Sequence, residues 1–175
     1  MSASPDLDQE FTKLVSSLEL DVSRAGWDQP VRIFALVLTQ DLLAEEPDAV
    51  SALGIDSTAM FTPIEQEVDS DVELDELLST IMWPDEVHGA VVVIERIILP
   101  PSAESDLPND EDGLVSAATT HPDRRDVRMV SAVLRSGQNL NALRYRTHDD
   151  ADSVAIAPDL ITSLNEALLQ SFSLD

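Results

Sequence analysis

Two histidine–aspartate pairs have spacing that suits a metal: His121-Pro122-Asp123 and His148-Asp149-Asp150, with Asp152 just beyond. Imidazole nitrogens beside carboxylate oxygens are ligands for zinc, iron or manganese. The two segments stand just before and just after a stretch that reads as a β-hairpin, so antiparallel pairing returns them to one end of a sheet. His121, His148 and Asp149 are therefore the candidate metal ligands. The plainer reading is a solvated loop, since His and Asp are common turn residues.

A second constellation is ionic. Glu95 and Arg96 interrupt the most apolar run in the chain, and Arg128, Arg144 and Arg146 follow on the next two strands. The guanidinium fork fits oxyanions, so these five residues are candidates for binding an anionic ligand or a partner's carboxylates. The competing role is structural, because a charge inside a sheet must be paired. The segment DLPNDEDG is not a calcium loop: aligned on Asp110, Asp112 and Gly113, it has Pro108 at the first ligand position and Thr119 at the twelfth. With five glycines in all, the chain has no phosphate loop, dinucleotide fingerprint or nucleophile elbow. No cofactor and no catalytic residue is expected.

The elements that must position these residues are legible from pattern. Val87 to Leu99 is dense in β-branched residues and ends at Pro100-Pro101, which makes it an interior strand covered on both faces. Alternation puts Arg96 on one face with Val92 and Ile94, and Glu95 on the other with Val91 and Val93. Asp126 to Arg146 forms two alternating runs around Ser136-Gly137-Gln138-Asn139, a hairpin whose loop of two, three or four residues leaves the register open.

Elsewhere, Leu7, Phe11, Leu14, Val15 and Leu18 predict a helix over Asp6 to Leu20, with a capping box from Asp6 to Gln9. Val31 to Thr39 reads as another interior strand, and Asp41 to Leu53 as a helix restarted at Pro47-Asp48. Ala59 to Val68 is a weak edge strand because of Pro63. Asp71 to Met82 is an amphipathic helix capped by Ser70 or Asp71. A polar loop of Asp, Ser and Pro around 100–122 is expected to be mobile. Val154 to Ala157 reads as a short strand, and Pro158 as the start of a helix with Leu160, Ile161, Leu164, Leu168 and Phe172 on one stripe. Trp27 and Trp83, each near a proline at a strand start, are core-edge anchors or contact residues.

At 175 residues and 43% hydrophobic content, one domain spanning 1–175 is the expectation. Absence of cysteine excludes disulfides and thiolate chemistry. No signal peptide or membrane span is apparent, which points to the cytoplasm. The net charge of −24 is unevenly spread. From Asp41 to Gly113 twenty acidic residues face one basic, a net of −19, whereas His121 to Arg146 carries six Arg against two Asp, a net of +4. An acidic body with a basic hairpin suits a protein partner, disfavours nucleic acid and anionic membranes, and leaves room for a homodimer.

The segments WDQPVRIFALVLTQDLLAEEP, WPDEVHGAVVVIERIILPP and HPDRRDVRMVSAVLRSGQNLNALRYRTHDD resemble an actinobacterial family of small acidic proteins with no assigned function. The likeness runs through Trp83, Pro84, Gly89, Glu95, Arg96, His121, Pro122, Arg128, Arg144, His148 and Asp149, and implies neither an activity nor a cofactor. The element order predicts an α+β domain with a largely antiparallel sheet of about four to five strands, packed with N- and C-terminal amphipathic helices. In outline it is similar to secretion-chaperone-like domains. Helices on both sheet faces, or on one face with a dimer partner on the other, both fit. The function expected is a non-catalytic cytoplasmic interaction domain. The alternative is a metal-dependent or small-molecule-binding protein with its site at the base of the hairpin.

Overall fold

A computed structural model describes residues 5–52, 54–55, 59–68, 73–98, 125–150 and 153–173. The expected loop at 100–122, His121 and the cap expected at Ser70 or Asp71 lie outside these residues. Helix α1 (Pro5–Ser23) is followed by β1 (Arg32–Leu38), α2 (Thr39–Glu45), α3 (Pro47–Ala52), β2 (Phe61–Gln66) and α4 (Leu74–Thr80). Then come β3 (Val87–Ile98), β4 (Arg125–Leu134), β5 (Asn139–Tyr145), a 3-10 turn (Arg146–His148), β6 (Ala155–Ala157) and α5 (Thr162–Gln170). The six strands form one sheet in the order β2-β1-β3-β4-β5-β6, antiparallel throughout. This is the α+β architecture read from the sequence, with one strand more than the upper expectation.

Alternation sorts the apolar residues into two cores. On one face Phe34, Leu36, Val91, Val93, Val130, Ala132, Leu140 and Ala142 pack against Phe11, Val15, Leu18 and Val22 of α1. On the other, Ile33, Ala35, Ala90, Val92, Ile94 and Val133 meet Leu74 and Leu78 of α4, and Leu164 and Leu168 of α5 with Phe172 beyond it. Helices therefore cover both faces, and neither needs a dimer partner for cover. Burying each of these aliphatic side chains contributes roughly 1.5–3 kcal/mol, which is why the sheet order is held by its interior.

The β4–β5 hairpin settles its own register. Val133 stands opposite Asn139, and the four residues Arg135 to Gln138 make the turn. The Gly137 N–H donates to Leu134 O at 2.8 Å, and the Leu134 N–H to Gln138 O at 2.8 Å. Gly137 adopts φ +105, a conformation favouring glycine. Gly89 is needed for a different reason: a Cβ there would lie 2.5 Å from Val133 O on the neighbouring strand.

Pro63 does place β2 at the sheet edge. The Thr39 N–H donates to Met60 O, so alternate residues 61, 63 and 65 turn their backbone N–H away from β1. Pro63 occupies one of those outward positions, where its missing donor costs the ladder nothing and blunts the edge.

Several boundaries differ from expectation: α1 begins at Pro5, so Asp6 lies inside it rather than at its cap, α2 begins at Thr39 rather than Asp41, and α4 begins at Leu74 with Glu73 at the cap position. The last helix starts at Thr162 rather than at Pro158, because Asp159 takes φ +60 and leaves the helical region. Asn141, buried on β5, accepts from the Leu160 N–H at 3.0 Å and the Ile161 N–H at 3.1 Å. Its own amide donates to Asn165 Oδ1 at 2.7 Å, which also accepts from Ser131 Oγ at 2.5 Å. A strand side chain thus holds the two amides just before the helix from across the core.

Candidate functional site

Alternation carries three ionisable residues onto the α1 face of the sheet: Glu95 after Val91 and Val93, Arg128 before Val130, and Arg144 after Ala142. The register then sets them in a row, Glu95 opposite Arg128 and Arg128 opposite Arg144. A row of one carboxylate and two guanidinium groups therefore crosses β3, β4 and β5. It sits at one end of the sheet, beneath the segment that joins α1 to β1.

Arg144 is almost wholly enclosed, with 3% of its side chain exposed, and so is its partner Glu19 on α1. The pair is bidentate: Nε donates to Oε2 at 2.6 Å and Nη2 to Oε1 at 2.8 Å. Nη1 donates to Asp149 Oδ1 at 3.0 Å. Glu19 first, then Asp149, raises the Arg144 pKa and keeps the guanidinium charged. Asp149 Oδ2 accepts from Trp27 Nε1 at 3.0 Å. That hydrogen bond, and after it Arg144, holds the Asp149 carboxyl below the usual carboxylate range.

Arg128 is fully enclosed. Its Nη2 donates to Gly26 O and, at 3.3 Å, to Glu95 Oε2. The Trp27 ring lies over its guanidinium, 4.4 Å from centroid to Cζ. Among the described residues, Nε and Nη1 of Arg128 have no hydrogen-bond partner. Glu95 also receives the strap from above: Asp28 N–H donates to Oε1 at 2.8 Å and Gln29 N–H to Oε2 at 3.1 Å. Asp28 makes that reach from φ +66. Arg146 lies on the other side of the strap, 5.6 Å from the Trp27 centroid. It forks onto Asp28 at 3.2 and 3.3 Å and reaches Asp126 at 3.3 Å.

The hairpin is thus only in part the cationic surface its composition suggests, with Arg125 and Arg135 exposed but others turned inward. The guanidinium groups of Arg128 and Arg144 are inside, each against carboxylate, and Arg146 is half-exposed with two carboxylates around it. The physical reason lies in the pleat: residues 128 and 144 share the face that α1 covers, so their charge had to be met internally. Arg96 points to the opposite face of β3 and is exposed, away from the row. His148 closes the 3-10 turn, with its side chain outside the described part, as His121 is altogether. Each oxygen of Asp149 accepts one hydrogen bond, from Trp27 and from Arg144. Among the described residues no group of three or more His, Asp or Glu is placed to hold a metal ion.

Sequence reasoning missed Glu19, Asp28 and the role of Trp27. Glu19 is legible only in hindsight, as an acid placed between Leu18 and Val22 on the buried side of α1. Trp27 and Trp83 both act as anchors; Trp83 stacks on Phe172 at 5.5 Å and donates to Ser171 Oγ at 2.8 Å.

A six-stranded antiparallel sheet between helices, with a buried ionic row closed by a tryptophan strap, defines an acidic α+β domain whose charged centre holds the chain's own loop. The chain belongs to the PPA1309-like protein family, whose model matches residues 11–173; that family is uncharacterised. No curated protein matches it, and no solved structure does. No helix among the described residues is long and apolar enough to cross a membrane.

Proposed function

We propose that this chain is a non-catalytic, cytoplasmic interaction domain that recognises a basic protein partner through its acidic exterior. The supporting observation is where the positive charge goes. Of only ten Lys and Arg against thirty-four Asp and Glu, Arg128 and Arg144 are enclosed with Glu19 and Glu95, so the whole net of −24 falls to the remaining residues, eight basic against thirty-two acidic. Exposed carboxylates run along α2 and α3 at Asp41, Glu45, Glu46 and Asp48, and along α4 at Glu73, Asp75 and Glu76. A surface of one sign steers an oppositely charged partner and rejects others. The hairpin's part is internal: it ties α1 and the strap to the sheet.

The test is calorimetric titration of the full chain with a lysine-rich and a glutamate-rich peptide of equal length. Binding of the lysine-rich peptide alone, weakening steeply with added salt, is expected. Equal binding of both, or none of the cationic peptide at low salt, overturns the reading.

A further inference from the structure

The described surface has a cleft between α1 and the segment leading into β2. It encloses about 370 Å³ and is lined by Leu14, Leu18, Ile55 and Phe61, with Glu10 and Asp21 among its rim residues on α1. Leu18 and Phe61 are core residues that close its floor, while Leu14 and Ile55 are half-buried and form its sides. Residues 10, 14, 17 and 21 fall on one stripe of α1, spaced by three and four, so the two carboxylates bracket an apolar centre. Eleven residues of helix separate them by about 16 Å. Asp21 is 63% exposed and pairs with Arg24 at 3.2 Å, and Glu10 is 26% exposed, accepts from the Met60 N–H at 3.4 Å and has Lys13 beside it at 3.7 Å. Lys13 is 74% exposed and Arg24 70% exposed, so both are loosely held cations that incoming ones can replace.

Volume alone fits many occupants, and the charge arrangement selects among them. A chain of net −24 repels an anionic ligand, and an apolar floor between two acids leaves a purely polar cation uncompensated in the middle. We infer that this cleft is where the basic partner docks, through an amphipathic segment whose aliphatic side chains fill the floor while cations at either end meet Glu10 and Asp21. The inference rests on the acidic-surface reading and names its contact site. Recognition then follows the helix-in-groove mode, with apolar anchors supplying affinity and the flanking charges fixing register.

The probe is a helical peptide of about 14 residues, leucines central and a lysine near each end about 16 Å apart. Titrated into the full chain, it is expected to bind at low salt. The double variant Glu10→Gln, Asp21→Asn is expected to weaken it by about tenfold or more, and Ser17→Trp, which crowds the cleft without altering charge, by a similar factor. Lys13→Ala and Arg24→Ala each remove a competing cation and are each expected to tighten it. Glu73→Gln with Glu76→Gln, an equal loss of charge on α4, is expected to change affinity by less than about threefold. Thermal melts of each variant exclude unfolding as the cause, and the glutamine and asparagine replacements keep the helix surface polar if Ser17→Trp does not fold. Equal weakening by the two charge-removing variants, with no effect of Ser17→Trp, overturns the cleft while leaving the acidic surface intact. No binding to the unmodified chain overturns both.

Discussion

Two arginines one strand apart, both out of solvent, are predicted to differ sharply on substitution. Arg144→Met leaves the enclosed Glu19 without its counter-ion and is expected to cost about 3–5 kcal/mol of stability. Arg128→Met removes two enclosed N–H groups that have no described partner and leaves Glu95 still accepting the Asp28 and Gln29 amides, so its expected cost is about 1–2 kcal/mol. Urea unfolding of the two variants checks the order. Asp149 supplies a pH signature. Its folded-state pKa is depressed, so its contribution is complete above the unfolded value of about 3.9 and is lost as pH falls through the lower folded value. Carboxyl NMR titration is expected to show Asp149 inflecting below that value, and to move it upward in Trp27→Phe, which lacks the indole donor. Glu65, lowered by its hydrogen bonds from Arg32, loses its contribution in the same direction.

The elements were legible where a periodic pattern coincided with burial. Val91 to Ile94 has one solution as an interior strand, and alternation from it assigned Glu95 and Arg96 to opposite faces before any register was known. What stayed hidden was contact between distant elements. Nothing local in VSRAGWDQP says that Asp28 and Gln29 donate to residue 95, or that Glu19 meets residue 144; those pairings follow from where α1 docks. The helix at Pro158 failed for the same reason. Proline suits a first helical turn, but Asn141, far off in sequence, captures the Leu160 and Ile161 amides and sets the start later. Asn141→Ala is accordingly expected to destabilise by about 1–3 kcal/mol, since it strands those amides and breaks the Asn165 contact. Gly89→Ala is expected to cost a similar 1–3 kcal/mol, because β4 backbone occupies the space of the new methyl. Thermal or urea unfolding measures both.

For the whole molecule, composition gave the right sign and the wrong geography. A net of +4 between His121 and Arg146 describes sequence, not surface, because a strand in an enclosed sheet turns alternate residues inward whatever their charge. The ionic row consequently works as a joint. It fastens α1 through Glu19, the strap through Glu95 and the turn after β5 through Asp149.

The joint itself is open to a double-mutant cycle on Glu19→Gln and Arg144→Met, followed by urea unfolding at neutral pH. A coupling energy above about 1.5 kcal/mol is predicted, within the range for residues in direct contact. Additive single-site effects, with coupling near zero, would mean that the two charges do not meet inside the fold and would contradict the account.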